Sequence, residues 1–86
     1  MKSLLYDKNY IEVSKTPEEL EKEFIKDFTL VRKENNLTQE LLGLYSSVRR
    51  EKIARIENNS HSPSVKHLLQ ILGPIGYTIK IEKIKK

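Results

Sequence analysis

Arg49, Arg50, Glu51, Lys52 and Arg55 place four cations and one carboxylate within a stretch of seven residues. An arginine fork matches the O6 and N7 edge of guanine, and a glutamate accepts from cytosine N4, so this set on one helix face has the chemistry of base-pair reading. The same residues would also serve as an ordinary solvated basic face. Other chemistries find less support. His61 and His67 stand six apart with no cysteine in the chain and no clustered carboxylates, so neither a metal nor any other cofactor is expected. The serines have no placed base and acid, which leaves nucleophilic catalysis without its parts, and the chain does not read as an enzyme.

Such side chains need elements to hold them. Thr16-Pro17-Glu18-Glu19 is a helix start, with Thr16 as cap, proline in the first turn and Glu19 closing a capping box. Leu20, Phe24, Phe28 and Val31 then recur at helical spacing, and Asn35-Asn36 ends the element near residue 34. Thr38 caps a short second helix over 39–45, in which Leu41, Leu42 and Tyr45 are expected to face inward. After Ser46-Ser47, the residues Val48, Ile53 and Ile56 mark the buried side of a third helix, the one that carries the basic cluster. Ser62-Pro63 predicts a further cap, followed by Val65, Leu68, Leu69 and Leu72 on one face. Gly73-Pro74 and Gly76 end that helix. Tyr77, Ile79 and Ile81 alternate with polar residues, the period of a half-buried strand, and residues 1–16 read as an extended arm. The expected division is therefore an arm over 1–16, a helical domain over 17–76, and a strand with a basic tail over 77–86.

A chain of 86 residues has room for one small core, and its 37% hydrophobic and 33% charged composition is that of a globular protein. The net charge of +4 is unevenly spread. Residues 1–29 hold five lysines against seven acids, whereas residues 30–86 hold eleven basic residues against five acids, which favours a polyanionic partner for the second part. Absence of cysteine, of a long apolar run and of a signal-type start makes the cytoplasm the expected compartment.

Two short helices joined by a tight turn, the second basic, have the form of a helix-turn-helix. The segment Leu30-Val31-Arg32-Lys33-Glu34-Asn35-Asn36-Leu37-Thr38-Gln39-Glu40-Leu41-Leu42, then Ile53, Arg55, Ile56 and Glu57, then Pro63, Leu68 and Leu69, resembles the Xre/Cro repressor family over residues 30–76. The resemblance implies a mainly α fold: a four- to five-helix, lambda-repressor-like helix-turn-helix bundle, to which the C-terminal β-strand and N-terminal extended arm are added. It also implies roles. Thr38 and Gln39 open the second helix, with Gln39 at the family's phosphate-binding position, where a helix N-terminus also favours an anion. Arg49, Arg50, Glu51 and Arg55 take base-facing positions, and Lys52 is placed to meet phosphate. Asn58, Ser60 and His61 match phosphate contacts of the following loop, although an ordinary polar loop has the same composition. Arg32 and Glu57 match an internal ion pair.

There are departures from the family. Gly43 stands where it usually has alanine, and Ser47 where it has the glycine of the turn, so Ser47 is expected to carry some backbone strain. Arg49 fills the slot of a serine cap and has no acceptor to offer, so the third helix is expected to start early, capped by Ser47. The strand after the bundle is similar to antitoxins of the HigA and HipB kind. Strand 77–82, whose alternating face one isolated strand cannot bury, is the expected contact of a homodimer on a palindromic double-stranded operator, and the likeness implies repression of its own operon and a toxin as second partner, met by the arm and the acidic first helix. A phage or mobile-element repressor with no toxin is the alternative.

Overall fold

A computed structural model describes residues 15–84. Four α-helices follow one another: α1 (Pro17–Glu34), α2 (Gln39–Ser46), α3 (Arg50–Glu57) and α4 (Val65–Leu72), the last running into a 3-10 turn at Gly73–Ile75. The expected arm lies outside the described residues, apart from Lys15 and Thr16.

Local sequence accounts for most helix ends. The capping box at α1 is complete: the Thr16 hydroxyl accepts from the Glu19 amide, and the Glu19 carboxylate accepts from the Thr16 amide at 2.8 Å. Asn35 closes that helix, and Asn36 takes a left-handed conformation with φ of 57°, which asparagine tolerates better than most residues. Thr38 caps α2 through the Leu41 amide. At α4 the cap is Ser64, through the amide of His67, rather than the expected Ser62. Pro63 precedes the cap and stands outside the helix, and Ser62 instead hydrogen-bonds Glu21 of α1.

The start of α3 also differs from expectation. Helix α3 begins at Arg50, with Arg49 as an N-cap that makes no side-chain hydrogen bond. Ser47 ends α2 in a left-handed conformation, φ 59° and ψ 36°, so it is a C-cap and not the cap of α3. The strain expected at Ser47 is thus present. Gly43 is explained by the same turn: a Cβ there would lie 2.5 Å from the Val48 carbonyl oxygen, and the Val48 amide donates to the Gly43 carbonyl at 3.0 Å. The chain passes too close for alanine.

Ile25 and Phe28 of α1, Leu42 of α2, Val48 of the turn, Ile53 and Ile56 of α3, and Leu68, Ile71 and Leu72 of α4 form the core. Ile25 and Ile71 join it from outside the expected stripes. Leu41 and Tyr45, expected inside, are exposed, as is Val65, because α2 and α4 are short and each turns only one narrow face inward.

Among the described residues there is no β-strand, so residues 77–82 do not form the expected one. The segment after Gly76 instead runs back beside α1. The Tyr77 hydroxyl accepts from Asn35 Nδ2 at 3.1 Å at one end, Ile79 packs on the core, and Ile84 shares a groove with Leu20 and Glu23 at the other. Its alternation is that of a strand, but a strand requires a ladder partner, and the described residues supply none.

Candidate nucleic-acid interface

Helix α3 is amphipathic in the way its sequence requires. Ile53 and Ile56 are fully buried, whereas Arg49, Arg50, Glu51, Lys52 and Arg55 are exposed. Burying two isoleucines three apart fixes the rotation of the helix and turns the charged residues outward together. None of these five side chains hydrogen-bonds another described residue, so all remain available as donors and acceptors.

The end of α3 is held by a buried ion pair. Arg32 of α1 donates Nε to Glu57 Oε2 at 2.7 Å and Nη2 to Oε1 at 2.9 Å, while its Nη1 donates to the Leu37 carbonyl at 2.8 Å. The two side chains are only 11% and 7% exposed. Gln39 joins the same carboxylate, donating Nε2 to Glu57 Oε1 at 3.0 Å. Three helices therefore meet at Glu57. Gln39 is half-buried and has one amide hydrogen committed there, which leaves its second hydrogen and its carbonyl oxygen for a ligand. Thr38 is exposed, with its hydroxyl oxygen occupied by the Leu41 amide.

In the loop after α3, Asn59 adopts a left-handed conformation with φ of 64°. The Ser60 hydroxyl donates to Asn58 Oδ1 at 2.5 Å, with the Arg55 carbonyl a longer acceptor at 3.3 Å. A hydroxyl has one proton, so in this conformation Ser60 offers a phosphate only its lone pairs. Asn58, by contrast, accepts through Oδ1 and keeps its Nδ2 hydrogens free among the described residues. His61 is exposed and makes no hydrogen bond there. Loop and helix thus form one continuous exposed polar run from Arg49 to His61, interrupted only by the inward residues.

A sequence-family model described as helix-turn-helix matches residues 30–81. The chain belongs to this helix-turn-helix family. A protein of Haemophilus influenzae, named as an uncharacterized HTH-type transcriptional regulator, is 33% identical over 61 residues, covering 71% of this chain. The chain spans 62% of that relative's length. No solved structure matches the chain. Helix-turn-helix membership makes α2 and α3 the two helices of the motif, joined by the turn at Ser47, and it agrees with the expectation that the chain is no enzyme. Among the described residues no group of three metal-ligating side chains occurs, and no helix is long and apolar enough to cross a membrane.

Two residues of the helix-turn-helix surface escaped the sequence reading. His67 and Gln70 of α4 line a groove of about 440 Å³ beside Lys52 and Arg55 of α3. Gln70 donates Nε2 to the Ser46 carbonyl at 3.3 Å, tying α4 to the end of α2. Their spacing of three on one helix puts them on a common flank, a signal visible in sequence but outweighed by the apolar stripe beside it.

Proposed function

We propose that this chain is a sequence-specific DNA-binding transcriptional regulator, a repressor that binds a palindromic operator as a two-fold dimer. The carrying observation is the exposed set Arg49, Arg50, Glu51 and Arg55 on a helix whose far end is clamped by the Arg32–Glu57 pair. A rigidly held helix presenting unpaired arginine forks suits major-groove reading, in which each bidentate pair discriminates by about 1–3 kcal/mol. Thr38, Gln39, Asn58 and His61 beside that helix and Lys52 on it would meet phosphates, fixing register without reading sequence, and Ser60 would join them on turning its hydroxyl away from Asn58. The name of the Haemophilus relative supports the regulatory reading.

Two copies would place their α3 helices in successive major grooves, about 34 Å apart. Pairing of residues 77–82 between copies is the proposed dimer contact. Its support is that the backbone of residues 78–84 makes no ladder among the described residues and that Ile81 is fully exposed. An antitoxin role, with autoregulation and a toxin partner, is the finer reading. What favours it over a phage or mobile-element repressor is the acidic excess of residues 1–29, seven acids against five lysines, which suits a basic partner.

Fluorescence anisotropy across a salt series tests the DNA reading, using DNA from upstream of the coding frame and a scrambled duplex. The expected result is a preference of about a thousandfold or more, with a steep salt slope, narrowed by Arg50→Ala. Equal binding to both duplexes, or none, would sink it.

A further inference from the structure

The groove between α3 and α4 combines features that the DNA-reading face does not account for. Lys52 and Arg55 line it from α3 and Arg49 from the N-cap of that helix, with Glu51 as the only acid among its lining, and His67 and Gln70 line it from α4. The His67 Nε2 atom is buried with no hydrogen-bond partner, an arrangement that folded proteins seldom keep without a reason. Burial in the first place, and then the Lys52 ammonium and His61, hold the His67 imidazole below the ordinary histidine value. The groups facing it are thus cations from α3 and an imidazole from the loop, with Glu51 the one counter-charge, while α2 contributes no charged side chain.

We propose that this groove is a seat for a backbone phosphate of the bound duplex, held by Lys52 beside the base-reading Arg49 and Arg55 and completed by the imidazole of His67. The inference rests on the DNA-binding reading above and adds a residue of α4 to it. A phosphodiester in the groove places a negative charge among three cations, offsetting the Lys52 field that opposes protonation of His67. The ring then takes up a proton on binding. By linkage, a ligand that favours the protonated ring binds more tightly as pH falls, and a proton taken up is readable both in the affinity and at the ring itself. His67 acts here as a binding residue for the sugar-phosphate backbone, with no role in choosing bases.

The test is an NMR titration of the His67 ring in the full-length protein, free, with its specific duplex, and with inorganic phosphate alone. His61→Gln assigns the two histidine signals, and circular dichroism confirms folding at each pH. The expected result is a His67 pKa raised by the duplex, together with an affinity that strengthens by about three- to tenfold from pH 8 to pH 5.5, tenfold corresponding to one unit. His67→Gln should lose that pH response, and Lys52→Gln should shrink the duplex-induced change at the ring. Specific binding with an unmoved His67 signal overturns the phosphate seat alone and leaves the DNA reading intact. Inorganic phosphate reproducing the full shift overturns the duplex as the source of the anion. No DNA binding at any pH overturns both readings.

Discussion

Glu57 meets Arg32 with both carboxylate oxygens, Oε2 on Nε and Oε1 on Nη2, across the 25 residues that separate the end of α1 from the end of α3. A pair this enclosed is costly to break, because the surviving partner stays buried without its counter-charge. Arg32→Ala or Glu57→Ala should each destabilise the fold by about 3–5 kcal/mol in urea unfolding. The double replacement Arg32→Met with Glu57→Leu should cost less than either single change. Near-additive losses in the cycle closed by the double alanine variant would show that the residues act independently.

The turn between α2 and α3 predicts changes of opposite sign. Ser47 holds a left-handed conformation that costs a residue with a Cβ about 1–2 kcal/mol, part of which glycine returns through its freer unfolded chain. Ser47→Gly should therefore stabilise by about 0.5–1 kcal/mol, a rise of several degrees in Tm. Gly43→Ala forces a methyl group against the Val48 carbonyl and should cost about 1–3 kcal/mol. A calorimetric scan of the two variants reads both effects.

Caps separate the observed helix boundary from the expected one. Ser64→Ala should lose about 1 kcal/mol by removing the acceptor for the His67 amide. Ser62→Ala removes only an exposed contact to Glu21 and should stay within about 0.5 kcal/mol. Equal losses at the two positions in denaturant titrations would put the helix start back at Ser62.

Stability should also respond to pH through His67. Its folded value lies below the ordinary 6.5, first by burial and then by Lys52 and His61, so the unfolded chain takes the proton more readily. That contribution is complete above the unfolded value and diminishes as pH falls from about 6.5 toward the folded value. Urea midpoints measured from pH 8 downward should show this decline, and His67→Gln should flatten it. Glu19 acts at lower pH. Hydrogen bonds from the Thr16 backbone and side chain, the largest causes, hold its carboxyl below the ordinary value, so the capping box weakens as pH falls below about 4.5.

Much of this architecture is legible in the sequence, because helix starts and apolar spacing are local signals. Thr16, Thr38 and the Asn35-Asn36 stop act where they are expected, and Phe28, Leu42, Ile53, Ile56, Leu68 and Leu72 are buried where the periodicity places them. The misreadings have a common origin in tertiary context. Tyr45 and Val65 look like core residues but face out, since the inward faces of short helices are set by how the helices cross. Ile81 has strand periodicity and no partner to realise it. For the site, the exposed basic set was readable from residue types, but the commitment of the Ser60 hydroxyl to Asn58 and the groove at His67 depend on contacts that spacing alone does not encode.

The close approach at Gly43 imposes an order on how this turn can change. With serine at position 47, the Val48 carbonyl is fixed where a methyl group on residue 43 would strike it, so alanine is obstructed there. Glycine at position 47 gives the backbone freedom to draw that carbonyl aside. The exchange Ser47→Gly thus opens a route to Gly43→Ala, whereas the reverse sequence passes through a destabilised intermediate, making the two positions a one-way pair in any stepwise mutational path.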